Sequence, residues 1–279
     1  MTAIQSSQST VQRQFKGDRL LKTLGWLYLG GMYFFLMLPI LVLVLFSFED
    51  SRFPTLPWTG WTGRWYGELF ADGRLLDSLG YSLMVSPAAA AVATIIGFFA
   101  AYVLNRFKFF GKKLLTIVLI VPIIIPPLIL GVAFLGLLSR LQLQGKLFSI
   151  FLTHVVILIP AAIALIGLRL SQMSNDLEEA AWNLGATEWQ TLWRVVLPWS
   201  IPGIAGAWLL AFTFSFDEFV IAWFVSGFHP TLPVAIYKFL GANLSPSLNA
   251  IGTLVFLMSV VLLVGVELLL IPVVLGQKK

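Results

Sequence analysis

The sequence predicts an all-α integral membrane protein with six transmembrane helices, and three observations carry that prediction. Of its 279 residues, 58% are hydrophobic and only 11% are charged, whereas a typical soluble domain has about 25% charged residues. Apolar runs of membrane-spanning length recur along the chain. Cysteine is absent and histidine occurs twice, which excludes thiolate chemistry and argues against a histidine metal centre. We therefore expect no catalytic residue, no metal and no cofactor.

The predicted layout is one membrane domain, residues 24–275, between a polar segment, 1–23, and a short tail, 276–279. The first apolar run is too long for a signal-peptide core and no small-residue cleavage pattern follows it, so it counts as a span. The six spans are expected at about 24–46, 79–104, 114–138, 147–168, 201–225 and 250–275.

The distribution of basic residues predicts the orientation. Short loops rich in Lys and Arg stay in the cytoplasm. With the N-terminus inside, the cytoplasmic segments hold twelve of the 18 basic residues. Both termini are therefore expected in the cytoplasm, and so are the turn from Arg106 to Lys113 and the long loop 169–200.

That loop contains a polar stretch, Ser174–Pro198, with the pattern of two short helices. Asn175 and Glu178 have the spacing of a capping box, which predicts a helix start near Asp176. Leu177, Ala180, Ala181 and Leu184 would then lie on one face, and Gly185 would end the helix in the left-handed conformation.

A second helix is predicted directly after that glycine. Thr187 and Gln190 have capping-box spacing, and Pro198 is expected to end the helix. Trp189, Leu192, Trp193 and Val196 repeat the apolar spacing. Helices this short are marginal alone, so the stretch is interpreted as a docking device. Its acidic residues outnumber its basic ones, which argues against a DNA-reading helix pair; packing on its own bundle stays the alternative to a cytoplasmic protein partner.

The spacing of Glu179, Ala180, Ala181, Gly185, Leu197 and Pro198 resembles the EAA motif, E-A-A-x3-G-x9-I-x-L-P, of ABC importer membrane subunits, with Val195 in place of the Ile. The resemblance implies the type I ABC importer permease fold, in which the first short helix is a coupling helix seated on an ATPase subunit. Implied partners are two ATP-binding subunits, a second homologous permease subunit and an extracytoplasmic binding protein.

Other segments are similar to the polyamine permeases of bacteria. These are the outer-loop run from Arg64 to Leu69, and in span five the runs 208–213, 219–221 and 224–227. Where those relatives commonly carry two aspartates, this chain has Asp217 and Glu218. The resemblance implies a bacterial inner-membrane subunit that imports putrescine or spermidine and leaves ATP hydrolysis to a separate subunit. A permease for another small substrate is the alternative, and a secondary transporter or channel is a weaker one.

Asp217 and Glu218 are the candidate substrate residues from the physical chemistry of the span. Asp217 lies about 24 Å from Ile201 along a helix, in a bilayer core about 30 Å thick. A carboxylate at that depth normally faces a cavity, a cation or a partner charge. Adjacent helical positions differ by about 100°, so one carboxylate is expected to serve the substrate and the other a neighbouring helix. Structural pairing and gating at the outer mouth remain alternatives.

Aromatic residues accompany these carboxylates at helical spacing, namely Phe212, Phe216, Phe219 and Trp223. Aromatic faces with carboxylates suit a protonated amine, so Phe216 and Trp223 join the candidate pathway; packing against lipid or a neighbouring helix is the alternative. Pro122, Pro126 and Pro127 are expected to break or kink span three. His154, without an evident serine or acid partner, is interpreted as a core histidine.

Overall fold

The structure is a computed structural model that describes the backbone of residues 2–51, 57–242 and 247–275. Side chains are described for 21–51, 57–239 and 247–261, together with 264, 265 and 268. The chain divides into two compact units. One combines Met1–Gly67 with Ser245–Leu254, and the other combines Glu68–Leu244 with Val255–Lys279.

The smaller unit begins with helix α1, Thr2–Phe46. An isolated antiparallel bridge between Glu49 and Trp61 follows it. The indole N–H of Trp65 donates to the backbone oxygen of Glu49 at 2.7 Å, and this bond fixes the loop after the bridge. Helix α2, Arg64–Ala71, follows the bridge, and its residues from Glu68 onward belong to the larger unit.

The larger unit is helical throughout its described backbone apart from the connecting turns. Its helices are α3 Gly73–Arg106, α4 Lys112–Ile124, α5 Pro127–Arg140, α6 Leu147–Ser171, α7 Asp176–Asn183, α8 Glu188–Thr191, a π-helical turn Leu192–Val196, α9 Leu197–Asp217, α10 Val220–Val225, α11 Leu232–Ala242 and α12 Ser247–Leu275, whose first turns belong to the smaller unit.

Small residues form the centre of the larger unit, where α3, α6 and α9 pack together. Ala89, Ala90, Ala162 and Ala211 are fully buried there. At Gly97 of α3 a Cβ atom would lie 2.6 Å from the Cβ of Ala162 and 3.2 Å from its carbonyl carbon. Small side chains allow backbones in a membrane to approach closely and gain packing energy. This approach therefore defines the spacing of α3 and α6.

The predicted break in span three is present. Helices α4 and α5 meet at an angle of 106°. Ile125 is extended, as expected for a residue before proline, and Pro127 is the first residue of α5. A proline at a helix start costs nothing because the first N–H groups have no partner within the helix. Pro122 lies inside α4 without ending it.

Four described helices are long and apolar enough to cross a membrane: Leu21–Phe46, Gly73–Arg106, Leu147–Ser171 and Glu188–Asp217. The bent pair of α4 and α5 makes a fifth if it counts as one span. The all-helical membrane fold is thus confirmed for four to five spans. The expected sixth span falls within α12, and the expected tail, 276–279, lies outside the described residues.

The glycine at the α3–α6 contact yields a test with an internal control. Gly97→Ala places a methyl group against the backbone of α6 and should lower stability by about 1–3 kcal/mol. Gly80→Ala, on the same helix with no neighbour within 4 Å, should be neutral or stabilise by up to about 1 kcal/mol. Thermal unfolding midpoints in detergent measure both. Equal midpoints for the two variants would contradict the close packing.

Candidate functional site

The C-terminal end of α7 is a complete Schellman motif. Gly185 has φ +86°, the Gly185 N–H donates to Trp182 O at 2.9 Å, and the Ala186 N–H donates to Ala181 O at 3.0 Å. Both bonds satisfy carbonyls that the helix end leaves free. The left-handed termination expected at Gly185 is confirmed, and this glycine sets the angle at which the chain leaves α7.

The predicted capping box at the start of α8 is also present. The Thr187 hydroxyl accepts from the Gln190 N–H at 3.2 Å, and the Gln190 side chain accepts from the Thr187 N–H at 3.0 Å. The two short helices are therefore joined by only the four residues 184–187, and the backbone N–H of each donates a hydrogen bond.

The prediction that Pro198 ends this helix is wrong. The chain continues from α8 through the π-helical turn into α9, and the Leu197 N–H bonds to Leu192 O, five residues back. A proline ring clashes with the carbonyl four residues before it in an α-helix. The wider π-helical turn directly before the proline relieves that clash. The polar loop thus passes without a break into the span that follows it.

The capping box predicted at Asn175 and Glu178 is also wrong, although α7 does begin at Asp176. Asn175 has helical dihedral angles and its side chain caps nothing; the Asp176 N–H bonds to the Ser174 hydroxyl instead, at 3.2 Å. Both expected cap residues bind Arg106. Its Nη1 donates to Asn175 Oδ1 at 2.5 Å, and its Nε lies 2.6 Å from Glu178 Oε1.

The burial pattern of α7 is the reverse of an ordinary amphipathic helix. Of its eight residues, all described, Glu178 alone is buried. Trp182 and Leu177 are about half exposed, and Leu184, the C-cap, is 89% exposed. Apolar side chains usually gain stability when they leave water. The described chain leaves this apolar surface uncovered.

The other residues of the EAA motif differ in their exposure. Glu179, Ala180 and Pro198 are exposed, and Ala181 and Leu197 are half-buried. Leu197 packs on a cluster that joins the loop to the bundle, made of Phe98, Ala101, Ala162, Ile166, Leu170, Met173, Leu192, Val196 and Ala207. The second short helix is thus anchored through the π-helical turn that follows it, while the first touches the bundle at Glu178 and leaves its apolar surface exposed.

The two candidate carboxylates of span five do not share a helix. Helix α9 ends at Asp217, and Glu218 is extended with φ −67° and ψ 115°. Glu218 Oε1 accepts from the Ile221 N–H at 2.8 Å, so it caps the start of α10. Asp217 is exposed and forms no ion pair among the described residues. The assumption that the two carboxylates share one helix is wrong, because the break separates them. Glu218 does serve a neighbouring helix, α10, as one of the pair was expected to.

The same break divides the predicted aromatic stripe into two clusters. Phe212 and Phe216 are buried, and the Phe212 ring stacks on Trp208 at 5.6 Å. Beyond the break, Phe219 and Trp223 contact Tyr237 of α11, with ring centroids 4.9 and 5.1 Å from it. Phe216 is therefore a core residue, while Trp223 is 39% exposed.

Two residues of α11 belong to this second cluster and were missed from the sequence. Tyr237 completes the group of rings, and Lys238 Nζ lies 5.7 Å from the centroid of Trp223. A cation within about 6 Å of an indole face is attracted by its quadrupole. No spacing rule links α11 to α10, so only the folded chain reveals the contact.

His154 is a buried residue of α6 with a serine partner that its sequence context did not reveal. Its Nδ1 lies 2.7 Å from Ser215 Oγ of α9. The two residues are 61 positions apart, so only the packing of α6 on α9 brings them together. The core interpretation is confirmed, since the residue is fully enclosed.

The helical bundle, with four or five described helices that are long and apolar enough to span a bilayer, defines the class as an integral membrane protein. Residues 93–272 match the family described as binding-protein-dependent transport system inner membrane component. The chain belongs to this family, the permeases of ABC importers, which are transport subunits. The family expected from the EAA motif is confirmed.

Two of the relatives found by sequence are polyamine permeases. The chain is 32% identical over 243 residues to the spermidine/putrescine transport system permease protein PotC of Escherichia coli strain K12, covering 87% of this chain and 92% of the relative. It is 37% identical over 229 residues to the putrescine transport system permease protein PotI of the same strain, covering 79% and 81%.

A solved structure with the same fold is that of a bacterial alginate ABC transporter in complex with a periplasmic protein bound to an alginate pentasaccharide. The two chains superpose with a TM-score of 0.73 at 17% identity, over 94% of this chain and 97% of that one. At that identity the likeness establishes the fold.

The termination of α7 gives a second test. Gly185→Ala requires an L-residue at φ +86°, which costs about 1 kcal/mol although no atom lies within 4 Å of the new methyl group. Gly185→Asn should cost less, because asparagine tolerates the left-handed region. Hydrogen exchange of the amides of residues 180–186 should be faster for the alanine variant than for the asparagine variant. Unchanged exchange in both would contradict the Schellman termination.

Proposed function

We propose that this chain is a permease subunit of an ATP-driven importer of polyamines, putrescine or spermidine. The observation that carries the proposal is the identity of 32% and 37% to two polyamine permeases across most of the chain. Polyamines are flexible cations, so a pathway for them needs carboxylates and aromatic faces rather than a reactive group.

The proposed layout has six spans with both termini in the cytoplasm. The domain boundaries expected from the sequence, 1–23, 24–275 and 276–279, belong to this proposal. The excess of basic residues on the segments that would face the cytoplasm supports the orientation. In it, α7 and α8 lie in the cytoplasm between the fourth and fifth spans, and Asp217 lies towards the outer side of the membrane.

In this proposal α7 is the coupling helix and receives the force of the ATPase. Its support is the uncovered apolar surface of Leu177, Trp182 and Leu184 next to Glu179 and Ala180. Gly185 and the capped turn after it join α7 rigidly to α8. Leu197 and Pro198 belong to the continuous helix that carries the displacement into the membrane. Two ATP-binding subunits would serve this chain and a second, homologous permease.

Asp217 is the proposed substrate carboxylate, and Trp223 the aromatic face beside the pathway. Asp217 supports the role because it is exposed and unpaired among the described residues. Trp223 already holds one alkylammonium group, that of Lys238, so the face accepts the chemistry of a polyamine end. Glu218 and Phe216 shape the site, Glu218 by capping α10 and Phe216 by packing in the core.

The cycle is alternating access driven from the cytoplasm. A soluble polyamine-binding protein delivers the substrate from outside, as the alginate transporter structure contains a substrate-bound periplasmic protein. ATP binding closes the ATPase dimer, draws the coupling helices together and opens the pathway outwards; hydrolysis resets it. No group on this chain reacts with the substrate in this scheme.

The docking surface can be tested by the retention of the ATPase. Leu184→Asp places a charge in the centre of the apolar surface and should reduce the amount of ATPase subunit that copurifies by about tenfold or more. Phe110→Asp is the matched control, because Phe110 is fully exposed on the other cytoplasmic turn, beside several lysines. Full retention with Leu184→Asp would rule out α7 as the docking helix.

The carboxylates differ in a way that uptake can distinguish. Asp217→Asn removes the proposed counter-charge and should raise the KM for polyamine uptake about tenfold or more. Glu218→Gln should change uptake little, because an amide oxygen can still accept from the Ile221 N–H. Radiolabelled uptake into proteoliposomes containing the complete importer measures both. Equal losses in the two variants, or none in Asp217→Asn, would reject this assignment.

A further inference from the structure

Arg106 is the last residue of α3 and binds the start of α7 through two separate groups. Its Nε forms an ion pair with Glu178 Oε1 at 2.6 Å, and its Nη1 donates to Asn175 Oδ1 at 2.5 Å. We call these three residues the Arg106 clasp. It joins residues about 70 positions apart, at the end of the bundle where Leu177, Trp182 and Leu184 are exposed.

The clasp is enclosed, so removing one of its partners costs more than breaking a surface ion pair. The side chains of Arg106 and Glu178 are only 14% and 5% exposed. Ion pairs open to water contribute little because solvent screens them and long side chains resist ordering. A charge that has left water has no alternative partner when its ion pair is broken. The Glu178 contact is an ion pair without a hydrogen bond, and the hydrogen bond from Nη1 to Asn175 Oδ1 adds direction to it.

Hydrophobic burial holds α7 against the bundle only weakly, because Leu177 and Trp182 are about half exposed and Ala181 is half-buried. Glu178 is the residue of α7 that points inward. Besides its covalent ends and its contacts with α8 and the π-helical turn, the start of α7 is tied to α3 through this carboxylate and through Asn175. The expected capping box is absent because both of its members are used in the clasp.

The clasp ties α7 to α3, whereas the chain itself connects α7 to α9. Through Gly185 and α8, α7 continues into α9. Through Arg106 it is tied to α3, which packs against both α6 and α9. Without the clasp, a push on α7 would reach α3 only indirectly, through α9 and the cluster around Leu192 and Val196. With the clasp closed, α3 must follow α7 at its end.

We propose that Arg106, Glu178 and Asn175 are positioning residues that transmit the displacement of the coupling helix to α3, so that α3 and α9 move together. This inference rests on the proposed function, in which α7 docks on the ATPase. It assigns a role in coupling to Arg106, which the sequence marks only as one of several basic residues at the end of a span.

The test uses the complete importer in proteoliposomes, with uptake per ATP hydrolysed as the main measurement. Glu178→Gln breaks the ion pair at nearly constant shape, and Arg106→Ala removes both contacts. Because the apolar docking surface is untouched, copurification of the ATPase should stay at the wild-type level. Uptake per ATP should fall about tenfold, within the usual range of coupling between sites, and the loss should be larger for Arg106→Ala.

Two controls separate coupling from charge and folding. Lys108→Ala removes a positive charge from an exposed neighbour of Arg106 and should leave uptake per ATP unchanged. The exchange of Arg106→Glu together with Glu178→Arg reverses the ion pair, and the amide of Asn175 can donate as well as accept. This double variant should recover much of the lost coupling, which a loss of folding or of α7 structure would not allow.

Each remaining outcome decides against the clasp in a distinct way. If Glu178→Gln and Arg106→Ala keep the wild-type uptake per ATP while Leu184→Asp releases the ATPase, the clasp transmits nothing although the proposed function holds. If Leu184→Asp retains the ATPase, α7 is not the docking helix and both proposals fall. If the reversed pair is as uncoupled as the single variants, the effect of each residue is not their interaction.

Discussion

The close approach of α3 and α6 at Gly97 is the contact on which the rest of the larger unit depends. Lipid tails are as apolar as leucine, so helices in a bilayer gain little from hydrophobic burial and associate by packing of small residues. Alanines on α3, α6 and α9 continue this contact in both directions. A bundle packed in this way behaves as a set of stiff rods that transmit displacement instead of absorbing it.

At one end of these rods the usual placement of side chains is inverted. Helix α7 turns a carboxylate inward, where Arg106 neutralises it, and leaves its leucines and Trp182 outside. A helix with this arrangement is held by polar contacts and remains free to bury its apolar surface against another protein. The eight residues of α7 are enough to present this apolar surface. Gly185 and Thr187 then direct the chain back into the bundle.

Near the other end of α9, the break at Glu218 gives the two neighbouring carboxylates different surroundings. Glu218 satisfies a backbone N–H that the interrupted helix leaves free, whereas Asp217 is exposed and forms no ion pair among the described residues. Broken helices are tolerated inside a membrane where protein or a water-filled cavity satisfies the backbone. The cluster of Phe219, Trp223 and Tyr237 then lies on a separate short helix and on α11, next to the break.

The sequence by itself determined the membrane class, the short helices around Gly185, the capping box at Thr187 and the broken third span, because each rests on neighbours within a few residues. The EAA spacing also sufficed for the family. Only the tertiary structure decided that Arg106 binds both Asn175 and Glu178. The same holds for the position of Pro198 inside a continuous helix, and for the contacts of Tyr237 and Lys238 with Trp223. An isolated helix would use Glu178 as its cap, but an enclosed arginine offers a carboxylate more than a backbone N–H does. Competition of that kind depends on which helices are adjacent, and local spacing carries no information about it.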